Sequence, residues 1–224
     1  MLMLFTILAC DQKNEEENSP DEPEMWLTSL DEKSLLEKRE LTSDKENDFQ
    51  AQATIIVDTS QKFQEIDGFG YTLTGGSALH INQMSDSARN ELLQELFGTE
   101  QDEIGVSYLR LSIGASDLGE APFSYNDLEE GKTDEQLEKF SLANDTLHLI
   151  PVLKEILEIA PDIKILGSPW SPPVWMKDNG DTRGGSLKEE YYPAYAMYFV
   201  KYIQAMAQEG ITIDAITIQN EPLH

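Results

Sequence analysis

Six side chains in this sequence have types that could do chemistry together: Glu221, Asn220, Arg110, Asp117, Trp170 and Trp175. Glu221 follows the run ITIDAITI at 211–218, which is rich in β-branched residues and too short for a helix. That run reads as a strand buried on both faces, as in a parallel sheet, and Pro222 ends its pairing. An acid at the carboxyl end of such a strand sits where α/β folds place reacting groups. Arg110 and Asp117 belong to the end of another apolar run, and Trp170 and Trp175 follow a third. Indole planes pack against the C–H faces of a pyranose, while carboxylates, an amide and a guanidinium serve its hydroxyls. Each residue alone has a plainer role: Glu221 as a solvated loop carboxylate, Arg110 as half of an ion pair, the tryptophans as core. The sugar-site reading rests on their convergence at one end of a winding.

The elements that would bring them together follow in series. Residues 63–73, with Gly68 and Gly70, read as a first strand, and 74–77 as a loop followed by 78–84. A helix over 85–97 is capped by Ser85 and stopped by Gly98, with Ala88, Leu92, Leu93, Leu96 and Phe97 as its stripe. A strand at 106–113 is followed by a long polar connection at 121–144. Then come a helix at 151–160, a strand at 164–167 and turns at 178–185, which read as a turn rather than a calcium loop. A helix at 189–209 turns Tyr195, Tyr198, Phe199, Tyr202 and Met206 inward, Gly210 ends it, and the strand at 211–218 closes the series. This is serial β/α winding, and right-handed crossovers bring every strand-to-helix loop to one end. Barrels and doubly wound sheets share the pattern. The absence of a G-x-G-x-x-G or phosphate loop counts against a nucleotide fold.

A net charge of -26 and a pI near 4.2 argue against nucleic acid, since nothing here neutralises a run of phosphates. The three histidines, His80, His148 and His224, lack metal-ligand spacing, so neither metal nor cofactor is expected. The single cysteine, Cys10, excludes an internal disulfide. Residues 1–9, MLMLFTILA, are apolar but too short to span a bilayer. With Leu8-Ala9-Cys10 they resemble the end of a bacterial lipoprotein signal. Lipidation of Cys10 would make an anchor the sole membrane contact and place the protein at the cell envelope or surface. Residues 11–50 are polar and acidic and read as a disordered spacer, with a marginal helix over 25–41.

From residue 63 onward the chain resembles glycoside hydrolase family 30, the glucosylceramidase-like and β-1,6-glucanase-like enzymes. The segments that carry this are DGFGYTLTGGSA, SYLRLSIGASDLG, LGSPWSPPVWMKDNG and IQNEP. The resemblance implies a (β/α)8 TIM barrel, of which 63–224 would be the first half with about four β/α units. It also implies a side β-domain, to which a strand within 51–62, at 51–57, would belong. It implies retaining hydrolysis of β-glycosides, with Glu221 matching the general acid/base and Asn220 the residue at the sugar 2-hydroxyl. Arg110, Asp117 and Trp170 match substrate-site positions.

Retaining chemistry uses two carboxyls about 5–5.5 Å apart, one as acid/base and one as nucleophile. As the acid, Glu221 is expected to be buried, so that its protonated form is favoured. No residue matches the motif of the family's nucleophile, so the chain is expected to be the front half of a glycosidase, unstable and inactive alone. The rival reading is a non-catalytic surface glycan-binding lipoprotein that keeps the aromatic loops without the chemistry. Among substrates, a β-1,6-linked gluco-oligosaccharide, glucosylceramide and xylan stay open.

Overall fold

The structure, a computed structural model, describes residues 25–39, 56, 58–100 and 103–222. Cys10 and the leader around it, His224, and the expected strand at 51–57 apart from Ile56 lie outside these residues. Ile56 itself carries no regular structure. The chain divides into two compact units, Met1–Lys62 and Phe63–His224.

In the first unit, β1 (Met25–Leu27) pairs antiparallel with β2 (Glu37–Arg39), Trp26 opposite Lys38. The marginal helix expected here is therefore a hairpin. The residues between the two strands close a turn instead. Ser29 donates its hydroxyl to Asp31 at 2.7 Å, and the Ser34 amide donates to the Ser29 hydroxyl at 3.1 Å. The Lys38 ammonium lies 5.5 Å from the centre of the Trp26 ring, a cation–π contact across the pair.

The second unit is a four-stranded parallel sheet in the order β3 (Gly70–Leu73), β4 (Tyr108–Ile113), β5 (Lys164–Pro169), β6 (Ala215–Ile216). Strand order equals chain order. A doubly wound sheet reverses direction at its switch point, whereas a barrel keeps winding one way, so the order selects the barrel. The strand register places Thr72 beside Arg110 and Arg110 beside Leu166. The approach of β3 to β4 needs Gly70, because a Cβ there would collide with the Tyr108 carbonyl oxygen.

The helices between strands follow the sequence with two changes. The segment at 74–84, read as a loop with its sequel, is the helix α1 (Gly75–Gln83). Thr74 caps it, its hydroxyl accepting from the Ser77 amide at 3.1 Å. Two glycines at a helix start weaken helix propensity, which is why the segment reads as a loop. Gly76 is there for packing: a Cβ would strike the Leu118 carbonyl oxygen. α2 (Asp86–Phe97) begins at its Ser85 cap and stops at Gly98 as expected, burying Leu93 and Phe97. α3 (Leu149–Ile159) starts two residues before Pro151. The proline falls in the first turn, where a missing N–H has no intrahelical partner to lose.

A short 3-10 turn at Glu189–Tyr191 leads into α4 (Tyr192–Gln208), which buries Tyr195, Tyr198, Tyr202 and Met206. Tyr125 stacks on Tyr198 and Tyr202, with ring centres 5.9 and 5.7 Å apart. Gly167 in β5 leaves room for the Tyr202 ring and the Ile113 side chain. The core thus lies between the sheet and α2, α3 and α4.

The last strand corrects another expectation. Ile211 is buried, but Ala215 and Ile216 are exposed and Ile218 is 80% exposed. β6 has β5 as its only neighbour among the described residues, so it is an edge and not a strand covered on both faces. Its pairing to β5 nonetheless extends past the strand proper. The amides of Asp214, Thr217 and Asn220 donate to the carbonyls of Ile165, Gly167 and Pro169 at 2.9, 2.9 and 2.8 Å.

Candidate active site

That extended ladder carries Asn220 to the carboxyl end of the sheet. There the Arg110 guanidinium, rising from the middle of β4, donates from Nη2 to Asn220 Oδ1 at 2.7 Å and to Ser168 Oγ at 2.9 Å. Ser168 Oγ in turn lies 2.7 Å from Thr217 Oγ1, so one guanidinium ties three strands together. No carboxylate pairs with Arg110 among the described residues. Its role as half of an ion pair is thereby replaced by one of orientation. With Oδ1 of Asn220 occupied, its Nδ2 is left as a donor.

The turn after Asn220 is held just as closely. Gln219 Nε2 donates to the Trp170 carbonyl at 2.7 Å and to the Asn220 carbonyl at 2.8 Å, fastening this turn to the loop after β5. Glu221 follows with φ of +47°, a left-handed conformation that costs energy in a residue with a Cβ. It is exposed, so the burial expected to favour its protonated form is not present among the described residues. Instead the carboxylate stands at the rim of a cleft of about 390 Å³, lined by Trp170, Lys177, Arg183, Tyr195, Asn220 and Glu221 among others. Glu221 is the only carboxylate among the residues lining it.

A second cavity of about 250 Å³ adjoins the first, sharing Trp170 and Arg183 with it and holding Asp117 and Glu120. Asp117 therefore lines the smaller cavity and Asn220 and Glu221 the larger one, with Trp170 belonging to both. Trp175 is not brought to either cavity. Its Nε1 donates to the carbonyl oxygen and to Oδ1 of Asn126 at 3.0 and 3.1 Å, and its ring meets Tyr191 edge-on at 5.0 Å. Five of the six expected residues thus gather at one end of the sheet, Arg110 acting from beneath Asn220. Trp175 instead braces the loop after β5.

Sequence reasoning missed four residues that shape the cleft. Lys177 is buried, with Nζ bonded to Ser171 Oγ at 3.3 Å and the Thr182 carbonyl at 3.1 Å. Burial lowers its pKa, against the opposing pull of Asp181 and Asp178. Gln219 and Lys177 both stand inside the motif segments, but nothing in their spacing marks them. Tyr195 was read as core; its hydroxyl is buried at the cleft and has no partner among the described residues. Burial pushes that hydroxyl's pKa up, which keeps it a donor. Arg183 lay in what read as plain turn sequence. No group of three or more metal-ligating side chains occurs among the described residues.

Fold and site together define part of a parallel (β/α) barrel with its polar cleft at the carboxyl ends of the strands. The chain belongs to glycosyl hydrolase family 30: the profile of that family's TIM-barrel domain matches residues 66–224. An endo-1,6-beta-D-glucanase of Neurospora crassa is 40% identical over 176 residues, covering 76% of this chain and 36% of that protein. The lysosomal acid glucosylceramidase of Mus musculus is 33% identical over 175 residues, covering 75% of this chain and 33% of that protein. A solved endo-beta1,6-glucanase superposes with a TM-score of 0.73 at 33% identity, covering 90% of this chain and 43% of its own. The chain spans about a third of the length of the curated relatives it matches.

Proposed function

We propose that this chain supplies the acid/base side of a retaining β-glycosidase that cleaves β-glucosidic bonds of the β-1,6-glucan or glucosylceramide type. Glu221 protonates the leaving oxygen and then activates water. Asn220 donates to the sugar 2-hydroxyl, Trp170 stacks against a sugar face, and Asp117 accepts from hydroxyls beyond it. The second carboxylate comes from a later strand of the barrel, about 5–5.5 Å from the first. The observation that supports this most is the 2.7 Å bond by which Arg110 orients Asn220, the residue before Glu221, in a cleft that Trp170 also lines. Relatives named as endo-1,6-glucanases and as a glucosylceramidase support the two substrate classes.

Hydrolysis of linkage-defined β-glucans and of glucosylceramide by the full-length protein tests the reading. Glucose or gluco-oligosaccharide release with retention at the anomeric carbon is the expected result. Binding of these glycans without any turnover would replace it with the glycan-binding alternative. We propose further that the protein is held at the cell envelope by a lipid on Cys10, a reading supported by Leu8-Ala9-Cys10 alone. Among the described residues no helix is long and apolar enough to cross a membrane. Release from the membrane fraction on Cys10→Ser is the expected outcome, and unchanged fractionation would remove the anchor.

A further inference from the structure

The chain has four arginines among 42 acidic residues, and two of them, Arg39 and Arg89, pair with carboxylates. Arg110 is spent on Ser168 and Asn220. Arg183 alone of the four makes no side-chain hydrogen bond and no ion pair among the described residues, and it lines both cavities. Arg183 is exposed and close enough to the Asp181 carboxylate to feel its charge. Its guanidinium makes no protein hydrogen bond among the described residues, so its five N–H donors are free for acceptors of a ligand in the cleft.

The segment that carries it is built rather than loose. Lys177 and Leu187 form a β-bridge, and the Asp178 amide donates to the Ser186 carbonyl at 3.0 Å. The Ser186 amide returns a bond to Asp178 Oδ1 at 2.8 Å, and Asn179 Nδ2 donates to the Arg183 carbonyl at 2.8 Å. Gly184 and Gly185, with φ of +57° and +70°, turn the chain immediately after Arg183. The buried Lys177 ammonium fixes this loop from below, joining the Thr182 carbonyl to the Ser171 hydroxyl.

We propose that Arg183 is a specificity-determining residue, contacting hydroxyls of a second sugar unit across the bond to be cut, and that Lys177 is its positioning residue. This rests on the glycosidase reading for the identity of the ligand, a gluco-oligosaccharide. Glu221 delivers its proton to the leaving oxygen, so the sugar that departs lies in the cleft that Glu221 and Arg183 both line. An aryl β-glucoside offers only one sugar and cannot fill that cleft fully.

The test uses the full-length protein with Glu221→Gln, so that binding is read without turnover. Calorimetric titration with a β-1,6-linked gluco-trisaccharide is expected to show about tenfold weaker binding on adding Arg183→Ala, the loss of a charge-assisted pair of hydrogen bonds. Arg183→Lys should recover only part of this, because an ammonium cannot reproduce the fork. Lys177→Met should weaken binding as Arg183→Ala does, and Lys177→Arg should weaken it less. Unchanged trisaccharide binding in Arg183→Ala overturns the proposal. A fall in Lys177→Met accompanied by a lower unfolding midpoint, with Arg183→Ala at wild-type affinity, overturns it equally. In the catalytic background, Arg183→Ala should lose at least tenfold more kcat/KM on the trisaccharide than on an aryl β-glucoside. If the unsubstituted protein binds the trisaccharide but hydrolyses nothing, the glycosidase reading fails while the binding series still decides the role of Arg183.

Discussion

Arg110 on β4 donates to Asn220, which stands 110 residues later in the chain, at 2.7 Å. A single planar guanidinium thus sets the amide that precedes the candidate acid, while also fixing Ser168 on the strand between them. Both bonds leave the two hydrogens of one nitrogen, and the planar guanidinium fixes their directions as a freely rotating ammonium does not. Arg110→Lys, in the full-length protein, should keep the charge, lose this orientation and lower kcat/KM by about 10- to 100-fold. Kinetics on a β-glucoside check it. Wild-type kcat/KM in that variant would show that Asn220 is positioned by its backbone alone.

Trp175 differs from Trp170 in what it touches, and the two should separate on substitution. Trp175→Phe removes the indole donor from two Asn126 acceptors, so it should cost about 1–3 kcal/mol of stability in denaturant unfolding. It should leave KM within about twofold. Trp170→Phe should do the reverse, raising KM with little loss of stability. A large KM effect from Trp175→Phe would return that residue to the substrate site.

Gly76 tests why a glycine pair opens α1. On helix propensity alone, Gly76→Ala would stabilise by about 0.5–1 kcal/mol. The Leu118 carbonyl occupies the place of the added methyl, and overpacking of that kind costs about 1–3 kcal/mol. The collision outweighs the propensity, so the variant should be less stable by equilibrium unfolding. A stabilised variant would mean that the loop after β4 does not rest on this helix.

Asp145 gives the pH dependence. Burial raises its carboxyl from 3.8 to about 6, against the lowering effect of the hydrogen bond it accepts from Tyr125. The folded value lies above the unfolded one, so the fold favours the protonated form. Its contribution is full below about pH 4 and is lost as pH rises through about 6. The loss amounts to about 3 kcal/mol at neutral pH. Asp145→Asn, which keeps an acceptor for Tyr125, should flatten this dependence and be the more stable protein above pH 6. Unfolding curves between pH 4 and 8 decide it. An identical slope in the two proteins would show that Asp145 is ionised and well solvated.

What the sequence carried was local and periodic. Ser85 and Gly98 bound α2 because cap chemistry acts within a turn, the apolar run at 106–113 contains β4, and the one at 164–167 begins β5, which continues to Pro169. It did not carry what depends on distant neighbours. Gly75 and Gly76 looked like a loop because the carbonyl that requires Gly76 belongs to Leu118. The 211–218 run looked buried because apolar character does not say which side of a strand is covered. That Glu221, Asn220, Asp117 and Trp170 come to one end of the sheet was legible from their place after the strands. Arg183 was not, since its position is the outcome of a loop closed by Asp178, Asn179 and Lys177.

The most direct test of the account is Glu221→Gln in the full-length protein, with kcat/KM compared on an unactivated β-glucan and on an aryl glucoside with a good leaving group. A general acid contributes about 10²- to 10⁴-fold, and only where the departing oxygen needs its proton. The variant should therefore keep its fold, lose activity on the glucan by that factor and lose far less in bond cleavage of the aryl glucoside. Equal losses on the two substrates would contradict the assignment of Glu221 as the proton donor.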